Sequence, residues 1–143
     1  MKLSTGKIAF PIEFDNGDKD CIYFNPSDPN LSVRLKDFRG KVSERLKKFE
    51  NIKIDNEGKP QNSELIEDFR NAQNIMCEEL DVAFGSEISS IVFKHCSPFA
   101  IVNGNYFIIQ FIEAIRPEIE KQIKKANADV EKKMAKHLDK YNR

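Results

Sequence analysis

From Tyr106 onward, apolar residues return at helical spacing: Ile108, Phe111, Ile112, Ile115, Ile119, Ile123, Ala126, Val130, Met134 and Leu138. Steps of three and four residues keep side chains on one face of an α-helix, so these positions form a single seam along a single helix. At about 1.5 Å per residue, that helix is on the order of 50 Å long. Such a rod outruns its own domain. Pro117 divides it: proline removes a hydrogen bond to the carbonyl of Glu113 and is expected to kink the helix. Apolar density also falls at this point. Before Pro117 nearly every second residue is apolar, which reads as core. After it the seam is narrow, flanked by Glu118, Glu120, Lys121, Lys124, Lys125, Glu131, Lys132, Lys133 and Lys136. A narrow seam on a projecting helix wants a partner surface.

The preceding residues predict a mainly α fold, with an N-terminal β-hairpin packed on a small helical bundle. In the hairpin (7–25), Ile8, Phe10, Ile12 and Phe14 alternate with Lys7, Ala9, Pro11 and Glu13, the period of a strand. Asn16-Gly17 supplies the turn, and Pro11 marks the first strand as an edge. A helix over 29–52 follows, with Ser27 or Asp28 as its cap and Pro29 in its first turn. Its stripe is Leu31, Leu35, Phe38, Val42, Leu46 and Phe49, interrupted by Gly40. Residues 53–62 read as a polar linker. A second helix spans 63–84, capped by Asn62 or Ser63, with Gly85 as its stop. Ser86 caps a short helix over 86–94. Asn103-Gly104-Asn105 is a turn, and the long helix occupies 105–140. The whole length, 1–143, fits one domain.

Composition narrows the function. The formal net charge is +0, which argues against nonspecific nucleic-acid binding, because that needs many unopposed Lys and Arg. Three widely spaced cysteines, Cys21, Cys77 and Cys96, with no C-x-x-C, suit reduced thiols rather than a disulfide scaffold or zinc site. The opening residues are polar with no apolar leader run, and the longest apolar stretch (106–115) is too short to span a bilayer. The expected location is the cytoplasm, with no membrane contact.

No residues group into a catalytic pattern. His95-Cys96 adjoin in sequence, but a nucleophile and its base must meet in space and be activated. Glu78, Glu79 and Asp81 read as a solvated helix face. Asp15 to Asp20 imitates a calcium loop but lacks the Gly at the sixth position and the distal Glu. No Gly-rich phosphate cradle is present. The expectation is therefore a protein that binds without catalysis, with no metal and no cofactor. Its candidate partner-binding residues are Phe107, Phe111, Ile115, Ile119, Ile123, Val130 and Met134. The stretch from Phe107 to Ile115 reads more readily as the domain's own core than as a partner surface; beyond Pro117 the partner reading is the stronger.

Three segments carry a resemblance. The first runs Tyr23-Phe-Asn-Pro-Ser-Asp-Pro-Asn-Leu-Ser-Val-Arg-Leu-Lys-Asp-Phe38. The second is Leu80-Asp-Val-Ala-Phe-Gly-Ser-Glu-Ile-Ser-Ser-Ile-Val-Phe93. The third is Ser97-Pro98 followed by Gly104-Asn-Tyr-Phe-Ile-Ile-Gln-Phe-Ile-Glu-Ala-Ile115 and a Lys-rich helix. Over about Lys7 to Lys125 the chain resembles the tail assembly chaperones of long-tailed (siphovirus-type) phages and prophages of Gram-positive bacteria. The resemblance implies a non-enzymatic role in the host cytoplasm. There such chaperones coat the long helical tape measure protein and keep it soluble until the tail tube polymerises; they are absent from the mature virion. In many such phages a ribosomal frameshift near the end of the gene yields a second, longer chaperone. Self-association is a further expectation. The competing reading is a small helical adaptor or regulator that uses its C-terminal amphipathic helix to pair with another protein.

Overall fold

A computed structural model of the protein describes residues 1–49 and 63–141. Strands β1 (Ile8–Glu13) and β2 (Lys19–Phe24) form an antiparallel hairpin in which Phe10 lies opposite Ile22 and Glu13 opposite Lys19. Its turn is the three-residue form: Gly17 N–H donates to the Phe14 carbonyl (3.0 Å) and Phe14 N–H to the Asp18 carbonyl (2.9 Å). Gly17 takes the left-handed conformation that this turn requires, at φ 88°. The alternation delivers Phe10, Ile22 and Phe24 to the interior, with the Phe10 and Phe24 rings stacked at 4.2 Å. A two-stranded ribbon cannot hold itself together in water, and this one is anchored by that buried face.

Helix α1 (Pro29–Phe49) begins at Asp28, whose carboxylate accepts from Asn30 N–H (3.0 Å) while Pro29 takes the first helical position. Of the two caps expected, Asp28 is the one used. Leu31, Phe38, Val42 and Leu46 are buried and Leu35 is half-buried. Helix α2 (Ser63–Phe84) packs along α1 through Met76, Leu80, Ala83 and Phe84. Polar contacts among the described residues hold the pair: a two-pronged ion pair between Arg45 and Glu79, and Arg34 Nε donating to the Ala83 carbonyl at 3.0 Å. The last residues expected in α1 (50–52), the 53–62 linker and the Asn62 cap lie outside the described residues.

The end of α2 follows the sequence expectation. Gly85, at φ 65°, donates to the Val82 carbonyl (3.2 Å) and Ser86 N–H reaches back to the Asp81 carbonyl (3.1 Å), which is a Schellman termination. The next helix differs from the reading over 86–94. Helix α3 is a single turn, Ser89–Val92, and Ser86 does not cap it. Asp81 does so from α2. Its Oδ1 accepts from Ile88 N–H and Ser89 N–H and its Oδ2 from the Ser89 hydroxyl, all at 2.8 Å. A carboxylate with both oxygens engaged outcompetes a serine hydroxyl for those N–H groups.

A second small ribbon precedes the long helix. Strands β3 (Ile101–Val102) and β4 (Asn105–Tyr106) pair antiparallel across Asn103 (φ 52°) and Gly104 (φ 79°), a two-residue turn with both centres left-handed. This moves the start of the long helix from 105 to 107. Helix α4 (Phe107–Tyr141) is one element through Pro117. Its first free N–H groups are satisfied by the loop beneath: Phe107 N–H donates to the Ala100 carbonyl (2.8 Å) and Ile108 N–H to that of Pro98 (3.0 Å).

The core lies where these elements converge. Ile22, Phe24, Leu31, Val42, Met76, Leu80, Ile88 and Ile108 are wholly buried. An aromatic chain links hairpin to helices, Phe24 meeting Phe84 edge-on at 4.8 Å and Phe84 meeting Phe111 at 5.8 Å. The result is a mainly α protein with an N-terminal hairpin and a long C-terminal helix.

Candidate functional site

The partner-binding residues expected from the sequence all lie on α4, and burial divides them. Phe111, Ile115 and Ile119 are buried. Phe107 is half-buried against Phe93, with ring centres 6.0 Å apart, and Ile123 is half-buried at the edge of the body. Val130 and Met134, 55% and 60% exposed, stand in solvent, as does Leu138 at 57%. The boundary between core and free seam therefore falls near Ile123, two turns past Pro117. Pro117 is itself exposed.

Two apolar grooves run beside the base of α4. The larger, about 990 Å³, lies between β1 and α4. Phe10, Ile12, Phe107, Phe111 and Ile115 contribute apolar wall, and Glu13, Asp15 and Glu118 are its charged residues, with no Lys or Arg among the lining. The smaller, about 500 Å³, lies between α1 and α4 and has the opposite character: Leu35, Ile112, Ile119 and Ile123 line it beside Lys36, Arg39 and Arg116, with Glu120 the one acid. Local patterns cannot reveal the larger groove, because β1 and the base of α4 are far apart in sequence. The only signal for it is the surplus of apolar residues before Pro117 over what a helix contributes to one core face.

The acidic hairpin turn that imitates a calcium loop has another use. Asp18 and Asp20 both hold Lys94 Nζ, at 2.6 and 2.8 Å, and His95 Nε2 sits 2.8 Å from the Asp18 carboxylate. The edge of the His95 ring meets Phe14 at 4.7 Å, and Lys94 Nζ lies 5.4 Å from the centre of the Phe14 ring. Hydrogen bonds from Lys94 and then His95 hold the Asp18 carboxyl down at about 2. The carboxylates thus tie the hairpin tip to the loop after α3. Among the described residues, no three of His, Cys, Asp and Glu converge as a metal site would need.

His95 faces Asp18, while the neighbouring Cys96 is half-buried and its thiol is pushed up by desolvation. Burial also raises the Cys77 thiol, with Asp81 adding to the effect. Both shifts favour the protonated thiol over the nucleophilic thiolate. No helix among the described residues is long and apolar enough to cross a membrane. Comparison with protein-family models, with curated proteins and with solved structures finds no match to this chain.

Proposed function

We propose that the protein is a non-enzymatic tail assembly chaperone of a long-tailed phage or prophage, which binds the tape measure protein in the host cytoplasm and keeps it soluble during tail assembly. One observation supports this reading above the others: the exposed seam of Val130, Met134 and Leu138 on a helix that leaves the body. A tape measure is a long amphipathic helix that aggregates when its apolar face stays wet. A second amphipathic helix, backed by grooves that continue its seam, is a matching surface for such a client. The three segments that resemble the chaperone family supply the name of the client.

The test is co-expression of the candidate tape measure protein with the full chain and with a chain ending at Ala126. The full chain is expected to bring the client into the soluble fraction and to co-purify with it. The shortened chain is expected to lose most of that capture. A client that stays insoluble as the whole protein and as every fragment, or capture unaffected by the truncation, would overturn the proposal.

A further inference from the structure

The projecting end of α4 and the groove beside its base are complementary in two ways. In residues 124–141, six lysines oppose three carboxylates, so this tip is basic around its apolar seam. The groove between β1 and α4 is apolar with three carboxylates, Glu13, Asp15 and Glu118, and no Lys or Arg; its one imidazole, His95, is held by the Asp18 carboxylate. The smaller groove carries Lys36, Arg39 and Arg116 and would repel the same tip. Reach decides whose tip enters. Met134 lies about 30 Å along a continuous helix from Ala114 in the groove wall, at about 1.5 Å per residue, so the rod cannot fold back on itself.

Spacing separates this from a simple pairing of two tips. A left-handed coiled coil needs its seam to repeat every seven residues. Extending the repeat of Ile123, Ala126 and Val130 by seven-residue logic lands on Lys133 and His137. The apolar residues instead continue at Met134 and Leu138. From Val130 to Met134 to Leu138 each four-residue step turns the stripe by about 40°, so it slants around the rod instead of holding a heptad seam. A short slanting stripe suits a seat in a groove on a body better than an extended mutual winding.

We propose that the α4 tip of one copy docks, through Val130, Met134 and Leu138, into the acidic apolar groove between β1 and α4 of a second copy. The contact is head-to-tail: each copy offers one tip and one groove, so the assembly grows into a ring or an open filament rather than stopping at a symmetric dimer. This inference stands on the chain's own tip and groove and does not need the chaperone reading.

The test uses the full chain in two surface variants, measured by sedimentation velocity across concentration. One carries Val130→Asp with Met134→Asp, which disables the tip. The other carries Glu13→Lys, Asp15→Lys and Glu118→Lys, which disables the groove. All five positions are exposed, so both variants are expected to melt as the parent does. The parent is expected to gain mass beyond a dimer as concentration rises, less so at high salt. Each variant alone is expected to stay monomeric. Mixed, they are expected to form a one-to-one complex, because one intact tip meets one intact groove. A parent that stays monomeric at several hundred micromolar would overturn the proposal, as would a groove variant that associates like the parent or a mixture that forms no complex. A monomeric parent that still solubilises the tape measure protein would overturn this inference and leave the chaperone reading standing. An assembling parent that ignores the client would do the reverse.

Discussion

Asp18 illustrates how a single side chain here acts between elements rather than within one. Its carboxylate takes both Lys94 and His95 and so clasps the hairpin turn to the loop after α3. Its folded value, about 2, lies below the ordinary 3.8. A lowered carboxyl contributes stability in full above its unfolded value and loses it as pH falls through the folded value. The clasp is therefore expected to release between pH 3.8 and about 2. Side-chain NMR shifts at Asp18 and Lys94 should move together in that window, and Asp18→Asn should reduce the Lys94 response there to the part that Asp20 supplies. A Lys94 transition unchanged in the variant would assign it to Asp20 alone. The sequence shows an acidic turn plainly but not its purpose, because Lys94 and His95 are supplied by a segment more than seventy residues away.

Elements governed by their own period are the ones the sequence declares. The helices α1, α2 and α4 each carry an apolar stripe, and Asp28 and Gly85 end or begin them by local chemistry. Two elements escape that logic. The cap of α3 comes from Asp81, seven residues before Ile88 and across a chain reversal, so no local cap pattern announces it. Strands β3 and β4 hold two residues each, too few for alternation to register. Gly40 makes the converse point. It lies in the interior of α1 with nothing within 4 Å of where a Cβ would stand, so it serves no packing purpose. Gly40→Ala should stabilise the fold by about 0.5–1 kcal/mol, through a stiffer unfolded chain and better helix propensity. Urea denaturation would read this as a higher midpoint at unchanged slope. A midpoint that falls would mean the exposed face of α1 is occupied.

At the scale of the molecule, stability and exposure are distributed unevenly along one helix. The core ends at Ile119 with Ile123 at its margin, and every described side chain from Asn127 onward is exposed. Ending the chain at Ala126 should thus leave the melting temperature within about 2 °C of the parent, since exposed residues away from the core contribute within about 0.5 kcal/mol. Far-UV circular dichroism should nonetheless lose a visible share of its helical signal. A large drop in melting temperature would show that the tip packs on the body in solution. The division of α4 is legible in its falling apolar density, but Pro117 marks the boundary about two turns too early, because buried contacts from α1 and the groove walls continue to Ile119 and Ile123. The grooves themselves are invisible to any reading confined to neighbours in sequence.

A helix that leaves its domain as one unbroken element also acts as a ruler with a phase. Every residue added to or removed from α4 past Ile123 changes the reach of the tip by about 1.5 Å and turns its apolar stripe by about 100°. Removing four residues shortens the rod by one turn yet nearly preserves its bearing, whereas removing two points the stripe to the opposite side. The spacing and handedness of whatever this rod connects are thus fixed in whole helical turns, and a single-residue insertion would be felt as a rotation long before it was felt as a length.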